Sequence, residues 1–130
     1  GAKETAARLC CVHTHLAQWS APARSLDLIH AGFSLPFVAA AEFAQVWKNI
    51  CSALKPGGLF VGQLFGHHDS FLLESPVGSM NAHTHAEVVK LCGDFHVIFL
   101  TEEERDGVVG VPPNEHPKHW HVFHIAARRI

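Results

Sequence analysis

The segment from Ala39 to Phe65 constrains the fold of this chain more than any other part of the sequence. Its apolar residues recur at the spacing of one helical face: Phe43, Val46, Trp47, Ile50 and Leu54. After Lys55, Pro56 prevents the helix from continuing, and Gly57-Gly58 permits the positive φ values that a sharp reversal needs. Because an apolar run from Leu59 to Phe65 follows at once, the segment predicts a helix that leads into a buried strand.

Two apolar runs before this helix predict strands. Leu9-Cys10-Cys11-Val12 is short and is followed by a polar stretch that contains Pro22. Leu26 to Phe33 is mostly apolar with little alternation, which is expected for a strand covered by helices on both faces.

The C-terminal half predicts a second helix and two strands. Thr84 to Glu87 has the S/T-x-x-E spacing of a capping box and starts a short helix that ends at Gly93. Phe95 to Leu100 and His119 to Arg128 are the predicted strands. Between them we expect an acidic turn at Glu102-Glu103-Glu104 and then a proline-rich loop.

The predicted order is β-β-α-β-α-β-β, which indicates an α/β fold. Strands that alternate with helices favour a mainly parallel sheet, and the last two strands, with no helix between them, favour an antiparallel pair. A chain of 130 residues that is 48% hydrophobic is long enough for one domain with a single core, so we expect a single domain over residues 1–130.

Composition argues against several classes of partner. The net charge of -2, without a basic tract, disfavours nucleic acid. The sequence has neither an apolar run of the roughly 20 residues that cross a bilayer nor a signal peptide, so we expect a cytoplasmic protein without membrane contact. The four cysteines form no CxxC pair and lie in or beside apolar stretches, so we expect buried, reduced thiols.

Five segments, in order and spacing, resemble those of class I S-adenosylmethionine-dependent methyltransferases of the small-molecule type. They are Leu26 to Ala31 with Ser34 to Phe37, the Trp47 helix, Leu54 to Phe60, Gly62 to Gly66 with Asp69-Ser70, and Lys118 to Val122. The resemblance covers most of the chain from Leu9 onward. It implies the C-terminal portion of a Rossmann-like sheet and S-adenosylmethionine as cofactor.

The chain departs from that family at its N-terminal side. Such enzymes hold the cofactor on a glycine-rich loop after the first strand and bind its ribose with an acidic residue after the second, and neither segment is found in this sequence. The sequence therefore resembles an N-terminally incomplete domain. At the end of the Leu9 strand, His15 stands where the family usually carries an acidic residue facing the adenine amino group, followed by the expected Leu16.

The missing strands would lie beside the strand at residues 26–33, so its apolar edge is expected to be open. An open edge invites pairing with another chain. We therefore expect either a homodimer through this edge or movement of the Leu9 strand onto it.

The resemblance and the strand ends together select candidate site residues, because open α/β sheets bind ligands beyond the carboxyl ends of their strands. The cofactor-binding candidates are His15, Leu16, His30, Ala31, Gly32 and Phe33. The candidates that would face a small-molecule substrate are Phe37, Phe65 and Asp69, although phenylalanines at such positions are more often core residues. No catalytic residue is assigned, since methyl transfer can depend on positioning alone.

Twelve histidines raise the alternative of a metal site. The pairs His13/His15, His83/His85 and His119/His121 would each share one face of a strand. Zinc sites usually need three or four convergent ligands, and pairs scattered over four elements do not show that convergence, so no metal is expected.

Two functions follow. The first is methyl transfer from S-adenosylmethionine to a small molecule in a longer parent protein, with this chain weak or inactive alone. The second is a non-catalytic α/β module that binds a partner through its open sheet edge.

Overall fold

The computed structural model describes residues 8–130, which contain four strands and three α-helices. The strands are β1 (Leu26–Ala31), β2 (Leu54–Phe65), β3 (Phe95–Val109) and β4 (His116–Arg129). The helices are α1 (Ala40–Ala53), α2 (Ser70–Glu74) and α3 (His85–Leu91). Short 3-10 turns are Leu16–Gln18, Leu35–Phe37 and Cys92–Asp94.

The strands form one mixed sheet in the order β1-β2-β4-β3. β1 pairs with β2 in parallel, whereas β2 with β4 and β3 with β4 are antiparallel. The α/β class and the antiparallel C-terminal pair are thus confirmed, and the pairing within residues 8–130 is parallel only between β1 and β2.

The joint between α1 and β2 connects a helix to a buried strand as predicted, but without the predicted reversal. α1 begins after Ala39, and its last turn leads directly into Leu54. Gly57 has a φ of +84°, a conformation that costs little only without a Cβ. Lys55 to Gly58 lies inside β2, where the register with β1 shifts, so the predicted reversal is an irregularity within the strand.

One hydrophobic cluster packs α1 and α3 against the same face of the sheet. The predicted stripe of α1 is buried there, and its Trp47 ring meets Phe60 of β2 edge-on at 5.0 Å between centroids. The Trp47 indole donates to the Leu91 carbonyl at 3.0 Å, which links the two helices. The predicted capping box at Thr84 and Glu87 starts α3.

The expectation that β1 is covered by helices on both faces is wrong. Leu28 points away from the helix-bearing face and is 55% exposed. β1 is an edge strand, and within the described part of the chain its hydrogen-bonded neighbour is β2.

Two local predictions are also wrong. Leu9 to Val12 is not a strand: Leu9 is 70% and Val12 72% exposed, because a strand needs a partner and β1 does not pair with this segment. The acidic residues from Glu102 to Glu104 are not a turn but the middle of β3, where β4 presents histidines opposite and near them.

The cysteines divide into two kinds. Cys92 is buried and Cys51 is half-buried, and burial raises the pKa of Cys51 to about 11. Cys10 and Cys11 are exposed, so the prediction of burial is wrong for these two. No helix within residues 8–130 has the length and apolar character that crossing a membrane requires.

Candidate cofactor site

Three of the predicted cofactor residues meet in one cavity although they come from distant parts of the chain. Leu16, His30 and Ala31 line a space of about 230 Å³ beside the carboxyl end of β1. The rest of the lining is mainly apolar: Trp19, Ile29, Ser34, Leu35 and Ile50. We refer to this space as the β1 cavity.

The remaining three cofactor candidates do not line this cavity. His15 is exposed, and its Nδ1 accepts a hydrogen bond from the Ala17 amide at 3.2 Å, so it caps the Leu16–Gln18 turn. Gly32 lies next to the His30 imidazole. Phe33 is 44% exposed and has a φ of +49°, which is unfavourable for a bulky residue.

The turn after β1 is held by Gln63, a residue that the sequence did not single out as functional. Its Oε1 accepts a hydrogen bond from the Phe33 amide at 3.0 Å. The Phe33 ring meets Trp120 and His124 edge-on, with centroids 6.2 and 6.3 Å away. These contacts maintain the left-handed backbone at Phe33, a kind of strain that is often found at functional sites.

The three substrate candidates are brought together, but two of them are buried. Phe37 is 53% exposed, and its ring lies 6.0 Å from that of Phe65. Phe65 is 1% exposed and Asp69 is 0% exposed. Of the three, only Phe37 presents side-chain surface in this arrangement, and the substrate-facing role of Phe65 and Asp69 stays a prediction.

Asp69 instead forms a buried ion pair with Lys118. The Asp69 Oδ1 lies 2.5 Å from Lys118 Nζ, and its Oδ2 accepts from the His121 amide at 3.0 Å. The ammonium is enclosed by rings, 3.7 Å from the Phe71 centroid and 4.4 Å from that of Trp120. Asp69 therefore joins the start of α2 to β4.

A second region with cavities lies between α1, α3 and the loop after α2. Cavities of about 550 and 640 Å³ share Phe43, His83 and Glu87 in their walls. His83 Nε2 lies 2.8 Å from Asn81 Oδ1, and burial lowers the pKa of His83. Sequence analysis identified His83 only as a member of a histidine pair, because its contact with Asn81 becomes visible only in the fold.

Comparison with known proteins agrees with the fold. No family model matches the chain, and no curated protein matches it by sequence. Among solved structures, a SAM-dependent methyltransferase from Methanosarcina mazei is similar with a TM-score of 0.61 at 19% identity, over 98% of this chain and 75% of that one. TehB from Haemophilus influenzae is similar with a TM-score of 0.70 at 12% identity, over 99% and 44%.

The N-methyltransferase NodS from Bradyrhizobium japonicum is similar with a TM-score of 0.59 at 16% identity, over 98% of this chain and 65% of that one. The chain thus spans between about half and three quarters of the length of these three proteins. At such identities the likeness establishes the fold, which is that of class I S-adenosylmethionine-dependent methyltransferases. The described residues supply four strands of it.

Proposed function

We propose that this chain is the adenine-side and substrate-side portion of an S-adenosylmethionine-dependent methyltransferase that acts on a small molecule. The observation that carries the proposal is the β1 cavity. Leu16 and Ala31, which were selected from the sequence alone, both line it. The three similar proteins include two named as methyltransferases, and NodS has also been solved with S-adenosyl-L-homocysteine.

The lining of the β1 cavity fits a flat, largely apolar ring with a polar edge. Leu16, Trp19 and Ala31 offer apolar surface, and the Ser34 hydroxyl offers hydrogen bonds. His15 does not line the cavity, but it precedes Leu16 in the chain, and its exposed imidazole could offer a further hydrogen bond to the adenine edge. When bound, the cofactor would supply an electrophilic sulfonium methyl group. The residues that line the β1 cavity would hold the adenine end of the cofactor, and the exposed Phe37 would face the methyl acceptor.

The chain alone is expected to bind this cofactor weakly. The glycine-rich loop that grips the methionine end in this fold has no counterpart in the sequence, so a large part of the usual contacts is absent. Weak binding and little or no methyl transfer are therefore predicted for the isolated chain.

A matched pair of leucine variants tests the proposal. Leu16→Ala removes apolar surface from the β1 cavity, whereas Leu9→Ala makes the same change at a position that is 70% exposed. Titration of S-adenosylhomocysteine should show affinity reduced about threefold or more in Leu16→Ala, since a few lost methyl contacts are worth about 1 kcal/mol. Equal affinity in both variants would contradict the assignment of the cavity.

The open edge of β1 favours a second candidate, a non-catalytic module that dimerises or binds a partner by strand addition. Leu28 is 55% exposed on this edge strand, and a bare apolar edge is unusual in a stable monomer. Sedimentation of the chain should then show a dimer, and Leu28→Lys should return it to a monomer with unchanged circular dichroism. A wild-type monomer at all concentrations would exclude dimerisation through this edge.

A further inference from the structure

Imidazoles and carboxylates converge on the β3–β4 hairpin, at residues that do not line the β1 cavity. The ligand atoms of His68, Glu104 and His121 all lie within 4.8 Å of one another. Glu104 and His121 are direct cross-strand partners, and His68 lies in the turn after β2. We call these three residues the His–Glu cluster. Its convergence corrects the expectation that the histidines of this chain do not gather.

The distances within the His–Glu cluster approach those around a tetrahedral zinc ion. Zinc lies about 2.0–2.2 Å from nitrogen and oxygen ligands, so two of its ligand atoms are about 3.4 Å apart. Here His68 Nδ1 lies 3.2 Å from Glu104 Oε2, and His121 Nε2 lies 3.9 Å from Glu104 Oε1. Small rotations of exposed side chains would close the remaining differences.

A fourth possible ligand and several outer contacts surround the His–Glu cluster. Glu102 Oε2 lies 2.7 Å from His121 Nε2, within reach of the same point. His119 lies between two carboxylates, with its Nε2 2.8 Å from Glu104 and its Nδ1 2.8 Å from Asp106. Ligand carboxylates in metal sites are commonly supported by such second contacts.

The cluster combines one buried ligand, His121, with two accessible ligands, His68 and Glu104. The side chain of His121 is 7% exposed, and a Cβ added to Gly66 would lie 2.2 Å from its ring, so the ring is held by close backbone packing. The side chains of His68 and Glu104 are 69% and 41% exposed, which gives an ion a path from solvent. Two imidazoles with carboxylates favour zinc over magnesium or calcium, which prefer oxygen.

We propose that the His–Glu cluster binds one zinc ion through His68 Nδ1, a Glu104 oxygen and His121 Nε2, with Glu102 available as the fourth ligand. The ion links three segments that are far apart in sequence, since 36 residues separate His68 from Glu104 and 53 separate it from His121. Its role is structural: it ties the turn after β2 to the β3–β4 hairpin. This inference is independent of the proposed methyl transfer.

Zinc binding requires one local change that can be measured. His121 Nδ1 now accepts a hydrogen bond from the His68 amide at 3.1 Å. A metal on Nε2 places the remaining ring proton on Nδ1, so this amide contact must open. The loss of one such hydrogen bond is small beside the binding free energy of a zinc site.

The test is titration of the full chain, without an affinity tag, with zinc chloride. Calorimetry and amide NMR monitor the binding. One site should be seen in the wild type, and Glu104→Gln and His68→Ala should each weaken it about tenfold or more. His124→Ala is the matched control, because His124 also contacts a carboxylate, that of Glu103 at 2.9 Å. His124 lies three positions from His121 and is therefore on the opposite face of β4.

The NMR readout separates this site from general binding by other histidines. The His68 amide should shift in proportion to the occupied fraction, and zinc should raise the unfolding temperature of the wild type but not of Glu104→Gln. Failure of the wild type to bind zinc at micromolar concentrations would overturn the proposal, and so would equal binding by wild type and Glu104→Gln.

Discussion

Replacing Asp69 by Asn should strongly destabilise the fold, because it leaves the Lys118 ammonium buried without its counter-charge. The two side chains are 0% and 1% exposed, so water cannot replace the lost partner. Removing one member of a buried pair costs about 3–5 kcal/mol. A small domain is stable by about 5–15 kcal/mol, so about a fifth or more of the total would be lost.

Asparagine has nearly the same shape as aspartate, so the substitution removes the charge and one hydrogen-bond acceptor without creating a cavity. The Asn oxygen can still accept from the Phe71 amide, now 3.0 Å from Asp69 Oδ1, so the N-cap of α2 survives. The loss therefore falls on the contacts to Lys118 and the His121 amide. Urea denaturation followed by tryptophan fluorescence measures the change in the free energy of unfolding.

A second variant makes the test decisive. In Asp69→Asn combined with Lys118→Met, an apolar chain fills the aromatic enclosure and no charge is left unpaired. The double variant should be more stable than Asp69→Asn alone by about 2 kcal/mol, since apolar replacements of buried pairs are often neutral or better. A cost below about 1 kcal/mol for Asp69→Asn, or no recovery in the double variant, would refute a structural ion pair.

The other predictions concern pH, thiol reactivity and helix capping. Burial lowers the pKa of His83 below its ordinary 6.5, so the unfolded chain binds a proton at a higher pH than the folded chain does. The free energy of unfolding should therefore fall as the pH drops through about 6.5 and below. Denaturant unfolding at several pH values should show a weaker pH dependence in His83→Gln and an unchanged one in the control His116→Gln. A thiol reagent at neutral pH should modify the exposed Cys10 and Cys11 quickly. Cys51 and Cys92 should react only on unfolding, because burial raises the pKa of both thiols. Fast reaction of all four cysteines would contradict the packing around α1. Thr84→Ala should lower the free energy of unfolding by about 1 kcal/mol, whereas Thr14→Ala, at an exposed position, should change it little.

The sequence was sufficient to predict the elements that depend on interactions between residues close together in the chain. The apolar stripe around Trp47 and the capping box at Thr84 and Glu87 depend on residues three or four apart, and both formed as predicted. The antiparallel pairing of β3 with β4 followed from the lack of a helix between them. The fold class also followed, because strands and helices alternate along most of the chain.

The sequence was insufficient where an element depends on a distant partner. Glu102 to Glu104 suggested a turn because nothing nearby shows that histidines of β4 will contact these acids. Leu9 to Val12 is apolar enough for a strand, but it does not pair with the open edge of β1. The ion pair of Asp69 and Lys118 joins residues 49 positions apart, so the burial of Asp69 could not be inferred from its neighbours.

The candidate site shows the same division. The resemblance selected Leu16, His30 and Ala31, and the fold placed them around one cavity. It did not select Gln63, whose side chain holds the Phe33 backbone from the adjacent strand. Such supporting contacts are set by strand register, which becomes known only when the sheet is assembled.

Amide NMR of the full chain during titration with S-adenosylhomocysteine tests the proposed cofactor site most directly. We predict weak, saturable shifts centred on Leu16, His30, Ala31 and Ser34, the residues around the β1 cavity. Shifts centred instead on the cavities around His83, or the absence of saturable shifts anywhere, would contradict the claim that this chain carries part of a methyltransferase cofactor site.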